Sequence, residues 1–261
     1  MQPVKPGKIF SSYSVVKRLP ISRMYDSDLA YIHHVGFRDL ARGAAPYIIG
    51  QLKQAGFSNG LIVDLGCGSG VLAAELVRFG YRVLGIDRSE AMIELARQTA
   101  PEAEFVVSAI ADFRIPRCAA VCAVGEALSY LSDGSRVDLK QLSQQVFASL
   151  LPSGAFFFDV IEQSEPAMTY TTERSGAGWH VRAEISEDQS AANITRRITS
   201  FRQIAGIERR SVEVHRVKTF SRAELLLMLE EAGFEAKLDA GYGDTTAGPR
   251  HVVVTAVKSI G

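Results

Sequence analysis

The run Val63-Asp64-Leu65-Gly66-Cys67-Gly68-Ser69-Gly70 constrains this chain more than any other feature. Residues 61–65 form a short apolar run, the mark of a strand buried on both faces. Residues 71–79 then take helical spacing and stop at Gly80. Glycines between a strand and a helix let the backbone pass close to a ligand, with no Cβ in the way, beside the helix N-terminus. Many nucleotide-binding folds share such a turn, so its spacing has to discriminate. A dinucleotide fingerprint requires G-x-G-x-x-G, but position 71 is Val, which leaves G-x-G-x-G. Asp87 closes a second strand (81–86), where a carboxylate can accept hydrogen bonds from both ribose hydroxyls of a nucleoside.

The pattern continues as alternating strands and helices, which predicts an α/β fold with a parallel sheet. A helix over 89–99 starts at Ser89, and strands follow at 105–107 and 119–124. A helix over 137–150 ends at Pro152-Ser153-Gly154, ahead of a fifth strand at 155–161. The alternation then breaks. Segments 179–187, 193–204 and 208–217 read as strands of an antiparallel insertion, with turns at Glu187-Asp188 and Ala205-Gly206. It returns with a helix that Ser221 caps, where Glu224 completes a capping box, and with strands at 234–239 and 251–257. Ahead of the first strand, Asp28 is placed to cap one helix and a second covers 44–55. The expected division is an N-terminal helical cap (1–58), a core (59–161 and 218–261) and the β insertion (162–217).

Charge narrows the partners. Lys and Arg number 29 against 29 Asp and Glu, so the net charge is zero, which disfavours a general polyanion binder. Cys67, Cys118 and Cys122 lack metal-ligand spacing, and their odd number fits a reducing compartment. Lys5 and Lys8 precede no apolar run, and no stretch reaches the roughly 18 apolar residues of a membrane span. The expectation is a cytoplasmic protein without a metal.

Together these motifs resemble the class I, Rossmann-like methyltransferases that use S-adenosylmethionine. The E/DxGxGxG signature stands as Asp64-Leu65-Gly66-Cys67-Gly68-Ser69-Gly70, and the acidic ribose ligand as Asp87 in Gly85-Ile86-Asp87-Arg88-Ser89. Met92 follows where the family packs a side chain on the adenine. Leu151-Pro152-Ser153-Gly154-Ala155 and Glu231-Ala232-Gly233-Phe234 match the turns into strands five and six. The resemblance implies a seven-stranded, mostly parallel sheet with helices on both faces, an N-terminal helical cap, and an antiparallel insertion after strand five. It implies cofactor contacts from Tyr25, Asp64, Gly66, Cys67, Gly68, Gly70, Asp87, Arg88, Met92, Ala109, Ile110, Val124 and Gly125. Two departures stand out. Ala109 occupies the place where an acidic residue often meets the adenine amino group, leaving backbone groups of Ala109 and Ile110 for that task. After strand four, Val124-Gly125-Glu126-Ala127-Leu128-Ser129-Tyr130-Leu131 replaces the Asn/Asp-Pro-Pro-Tyr motif of base-modifying relatives. That segment, the insertion and Met24-Tyr25-Asp26 resemble small-molecule methyltransferases of antibiotic-sugar and natural-product type, whose tyrosine lies over the methionine end of the cofactor.

Methyl transfer is an in-line displacement, so alignment dominates, and an acceptor of high pKa also needs a base. His215 shares a strand face with Glu213 and is the candidate base, with a surface histidine as the bland alternative. Glu126, just past strand four, could meet the cofactor's amino group or the acceptor. Asp159 and Glu162 are weaker candidates; His33 and His34 read as structural or solvated, and His180, beside Trp179, as a pocket residue. Arg196, Arg197, Arg202, Arg209, Arg210, Arg216 and Arg222 make either a solvated charged face or a site for an anionic acceptor. The expected function is methyl transfer to an oxygen or nitrogen of a small molecule. Its rivals are a tRNA or protein methyltransferase and a binder of S-adenosylmethionine without turnover.

Overall fold

Every residue of β1 (Leu61–Leu65) is buried, as an apolar run covered on both faces requires. The structure is a computed structural model that describes residues 24–132, 135–163 and 166–259. Parallel to β1 lie β2 (Arg82–Asp87) on one side and β4 (Cys118–Ala123) on the other. β3 (Glu104–Val107) extends the sheet beyond β2, and β7 (Leu150–Glu162) beyond β4. β15 (His251–Lys258) runs antiparallel beside β7, and β12 (Phe234–Asp239) closes that edge. The seven core strands are thus ordered β3-β2-β1-β4-β7-β15-β12, with β15 alone reversed.

Alternation along these strands divides the core in two. Val63, Leu65, Val121, Phe156 and Phe158 face one layer, made by α5 (Leu139–Ser149) and α6 (Arg222–Glu231) through Leu142, Val146, Leu225 and Leu229. Ile62, Ala120, Cys122 and Phe157 face the other, made by α2 (Asp39–Gln54) and α3 (Val71–Arg78) through Ile48, Leu52, Leu72 and Leu76. α1 (Ser27–Gly36) packs against α4 (Glu90–Thr99), which follows β2.

The insertion is a meander of β8 (Thr169–Gly176), β9 (Trp179–Asp188), β10 (Asn193–Ile204) and β11 (Ile207–Phe220). Ala205 and Gly206 join β10 to β11 with φ of 50° and 82°, the left-handed pair that a two-residue hairpin demands. β11 continues past 217 until Thr219 and Phe220 pair in parallel with Ile161 and Glu162 of β7. A short hairpin, β5 (Tyr130–Ser132) and β6 (Ser135–Arg136), adds to the flank of β11. A second one, β13 (Gly241–Tyr242) and β14 (Thr245–Thr246), packs on α2.

Several local expectations need correction. The first helix is capped at Asp26, not Asp28; Asp28 sits in the first turn as the ion-pair partner of Arg202 and Arg209. The second helix starts at Asp39, five residues before the apolar periodicity shows, because its first turn buries no side chain fully. Ser221 does accept the Glu224 N–H at 3.1 Å, but the Glu224 carboxylate turns to Lys218 (2.9 Å) instead of closing a capping box. β8 was not expected, since all its side chains are exposed and it carries no apolar alternation. Residues 1–23 of the helical cap lie outside the described residues.

Candidate active site at the carboxyl ends of the core strands

Each glycine of the loop after β1 answers a different requirement. Gly66, Gly68 and Gly70 all have positive φ (71°, 51° and 75°). A Cβ on Gly66 would lie 2.5 Å from Ala127 Cβ, and one on Gly70 would lie 2.9 Å from the Ala96 backbone. Those two glycines let the turn after β4 and helix α4 close in. A Cβ on Gly68 would meet nothing within 4 Å, and the same holds for Gly125 after β4. The open cradle therefore lies at Gly68 and Gly125. Cys67 between the glycines is buried. Asp64 is buried beside them with no partner for Oδ2 among the described residues, and burial followed by the charge of Asp87 pushes its carboxyl up to about 7.

Asp87 folds back on this loop: Oδ2 accepts the Gly68 N–H and Oδ1 the Ser89 N–H, both at 2.9 Å. Ser89 caps α4 by accepting the Met92 N–H, which places the buried Met92 on the first turn. Arg88 points toward Met24 (Nη1 to Sδ 3.7 Å). Ala109 is extended and Ile110 opens a 3-10 turn, its Cδ1 3.9 Å from where a Gly66 Cβ would be. The structure thus gathers Asp64, Gly66, Gly68, Asp87, Ile110 and Gly125 at one rim.

The turn after β4 is pinned from β7. Asp159 accepts the N–H groups of Gly125 (2.8 Å) and Glu126 (2.9 Å) and the Tyr242 hydroxyl (2.9 Å). Val124 packs half-buried against the α2–α3 layer. Glu126, with φ of 62° and 8% exposed, turns its carboxylate to Arg196 (2.8 Å) and His251 (2.7 Å). Burial opposes its ionisation, yet Arg196 and His251 outweigh burial and hold Glu126 at about 2. Burial lowers His251 in turn, but Glu126 outweighs that and raises it above the usual histidine value. Glu126 is thus committed to two protein cations. His251 escaped the sequence reading; reversal of β15 is what carries the strand's first residue to this rim.

The fourth group joins the cap to the insertion. His215 is 1% exposed, which removes the surface-histidine alternative, and its Nε2 lies 2.8 Å from Glu213 Oε2. A carboxylate only accepts, so Nε2 donates to Glu213, while Nδ1 is buried without a partner among the described residues. Val212 and Val214 point the other way into solvent, as strand alternation demands. The His215 ring packs against Tyr25 (5.0 Å between centroids) and Tyr130 (5.7 Å), whose hydroxyls share a 2.8 Å hydrogen bond. Tyr130 was not singled out from the sequence. Only the pairing of β5 with β11, Tyr130 opposite Val217, brings it here. His33 completes the aromatic group (5.2 Å from Tyr25), and burial lowers its imidazole to about 4. His34 bonds Ser69 Oγ at 2.9 Å, while His180 stands on the outer strands beside Ser175. Glu162 pairs with Arg222 at the surface.

Residues 62–154 match the family described as a methyltransferase domain. That stretch, from β1 into β7, carries a methyltransferase domain. The "Putative methyltransferase YqeM" of Bacillus subtilis (strain 168) is 26% identical to this chain over 198 residues, 72% of this chain and 78% of YqeM. An S-adenosylmethionine-dependent methyltransferase from Clostridium acetobutylicum shares its fold (TM-score 0.74, 17% identity, 89% of this chain and 98% of that one). So does S-adenosylmethionine-bound CalS10 of Micromonospora echinaspora, an amino pentose methyltransferase (TM-score 0.70, 18% identity, 90% and 98%). S-adenosylmethionine fits the residues present: the Gly68–Gly125 cradle is open and, among the described residues, Asp64 presents an unpartnered buried oxygen. No helix among the described residues is long and apolar enough to cross a membrane.

Proposed function

We propose that this methyltransferase acts on an oxygen or nitrogen of a small molecule, and that His215 takes the acceptor's proton. The observation that carries this reading is the buried, unpartnered Nδ1 of His215 beside Tyr25 and Tyr130, with Glu213 on Nε2. Asp87 would hold the ribose, Gly68 and Gly125 would admit the cofactor closely, and Asp64 would face its positive groups. Arg88, Met92, Ala109 and Ile110 would flank the adenine, with Cys67, Gly66, Gly70 and Val124 shaping the walls. S-adenosylmethionine supplies an electrophilic methyl carbon on a sulfonium. When the acceptor's oxygen or nitrogen takes that methyl, the methyl–sulfur bond breaking to leave S-adenosylhomocysteine, its O–H or N–H proton would pass to Nδ1, and Glu213 would stabilise the resulting imidazolium.

The small-molecule reading is supported by the enclosed position of His215 and by the amino pentose methyltransferase among the structural neighbours. An anionic acceptor finds less support. Arg196 faces Glu126, Arg202 and Arg209 face Asp28, and Arg197 faces Glu184, so much of the arginine charge is met within the chain. Glu126 then serves as a strut between β4, β10 and β15, not as a ligand for the cofactor's amino group. Three free, buried cysteines fit a cytoplasmic setting. The test is a panel of small amines and alcohols, amino sugars included, scored by release of S-adenosylhomocysteine. With an accepted substrate, His215→Asn is expected to lower kcat about 10²–10⁴-fold near neutral pH. Full turnover of His215→Asn across pH 6–9 would rule the base role out.

A further inference from the structure

Tyr25 has φ of 55°, a left-handed conformation that strains an L-residue unless its surroundings hold it. What holds it is Glu213. Oε2 accepts the Tyr25 N–H at 2.7 Å and Oε1 the Asp26 N–H at 3.0 Å. These amides precede α1, so neither has a partner within the helix. The Tyr25 carbonyl is tied the other way, accepting from Ser89 Oγ at 2.9 Å, and Ser89 donates its own N–H to Asp87. Residues 24–26 therefore form a strap from the Asp87 turn, across the cofactor rim, to the insertion strand β11. The oxygen that receives the Tyr25 N–H is also the one that receives His215 Nε2.

We propose that Glu213 is a positioning residue with two linked tasks: it fastens the Tyr25 strap over the cofactor site and fixes the proton-bearing nitrogen of His215. Three donors converge on one carboxylate, so the base is fully set only when the strap is closed. Cofactor exchange requires the strap to lift, which breaks both backbone bonds and leaves His215 as the one ligand of Glu213. The second task deepens the reading of His215 as base. The first stands without it.

Glu213→Gln tests this, because an amide offers one accepting oxygen and turns an NH2 toward the remaining donors. Three readouts apply: hydrogen exchange of the Tyr25 and Asp26 amides, dissociation of S-adenosylhomocysteine, and the His215 tautomer by ¹⁵N NMR. Exchange and dissociation are each expected to accelerate about tenfold or more, the loss of a bond to a charged acceptor, and His215 is expected to populate the Nδ1–H form. Unchanged exchange, dissociation and tautomer would overturn the proposal. Should Glu213→Gln not fold, the wild-type amides decide, because exchange of Tyr25 and Asp26 at free-peptide rates would equally overturn it. His215→Asn, which keeps the carboxylate, is expected to retain strap protection. Full turnover in that variant would sink the base role and leave the strap result untouched.

Discussion

Asp87 reaches back from the end of β2 to accept the Gly68 N–H at 2.9 Å, so the carboxylate expected at the ribose also shapes the glycine loop. A carboxylate has about four lone-pair positions, and the backbone N–H groups of Gly68, Ser89 and Arg88 already hold it, which leaves about one for a ribose hydroxyl. The glycine loop is therefore stabilised by the residue that would bind the nucleoside.

Gly68 and Gly70 are expected to separate binding from stability. Gly68→Ala adds a Cβ to the open cradle, so it should weaken S-adenosylmethionine binding at least about tenfold, with a left-handed penalty of roughly 1–2 kcal/mol in stability. Gly70→Ala carries the same left-handed penalty and also drives a Cβ to 2.9 Å from the Ala96 backbone, adding about 1–3 kcal/mol of overpacking. Calorimetric affinity and urea midpoints of the two variants check this; equal stability losses would refute the assignment.

The pH dependence of cofactor binding should trace Asp64. Burial, then Asp87, raises its carboxyl to about 7, so below that pH the site holds a neutral acid. S-adenosylmethionine brings sulfonium and ammonium charges that favour the carboxylate. Affinity is expected to rise as pH increases through about 7, with proton release on binding below it. Asp64→Asn should flatten the profile, as titration in buffers of different ionisation enthalpy would show.

Stability should depend on His251 with the opposite sign. Its folded-state value is raised above 6.5 by Glu126, so its contribution is complete below 6.5 and fades as pH rises through the raised value. Glu126, held at about 2, contributes over the whole range above its unfolded value and is lost only on strong acidification. His251→Gln is expected to cost about 1–3 kcal/mol at pH 6 and to abolish the decline toward pH 9, measured by urea unfolding at each pH.

The glycine loop, Asp87 and the core strands were legible because their signals are local: an apolar run, a glycine spacing, a carboxylate at a strand end. His215 beside Glu213 was legible too, since strand alternation fixes their common face. What escaped depends on register between distant segments. Tyr130 reaches His215 through the β5–β11 pairing, and His251 meets Glu126 because β15 runs backwards. Arg196 carried a charge that the sequence left open between an anionic acceptor and a solvated face. Only the register of β10 sets it against Glu126. β8 was invisible for a different reason, since it buries no face and leaves no period in the sequence.

Calorimetric titration of S-adenosylmethionine, S-adenosylhomocysteine and NAD into wild type and Asp87→Ala tests the account most directly. The account predicts that both adenosyl ligands bind wild type, that NAD does not, and that Asp87→Ala, still folded, loses about tenfold or more in affinity. Binding of NAD instead, or undiminished binding of S-adenosylmethionine to Asp87→Ala, would contradict the placement of the cofactor at the Asp64–Asp87 rim.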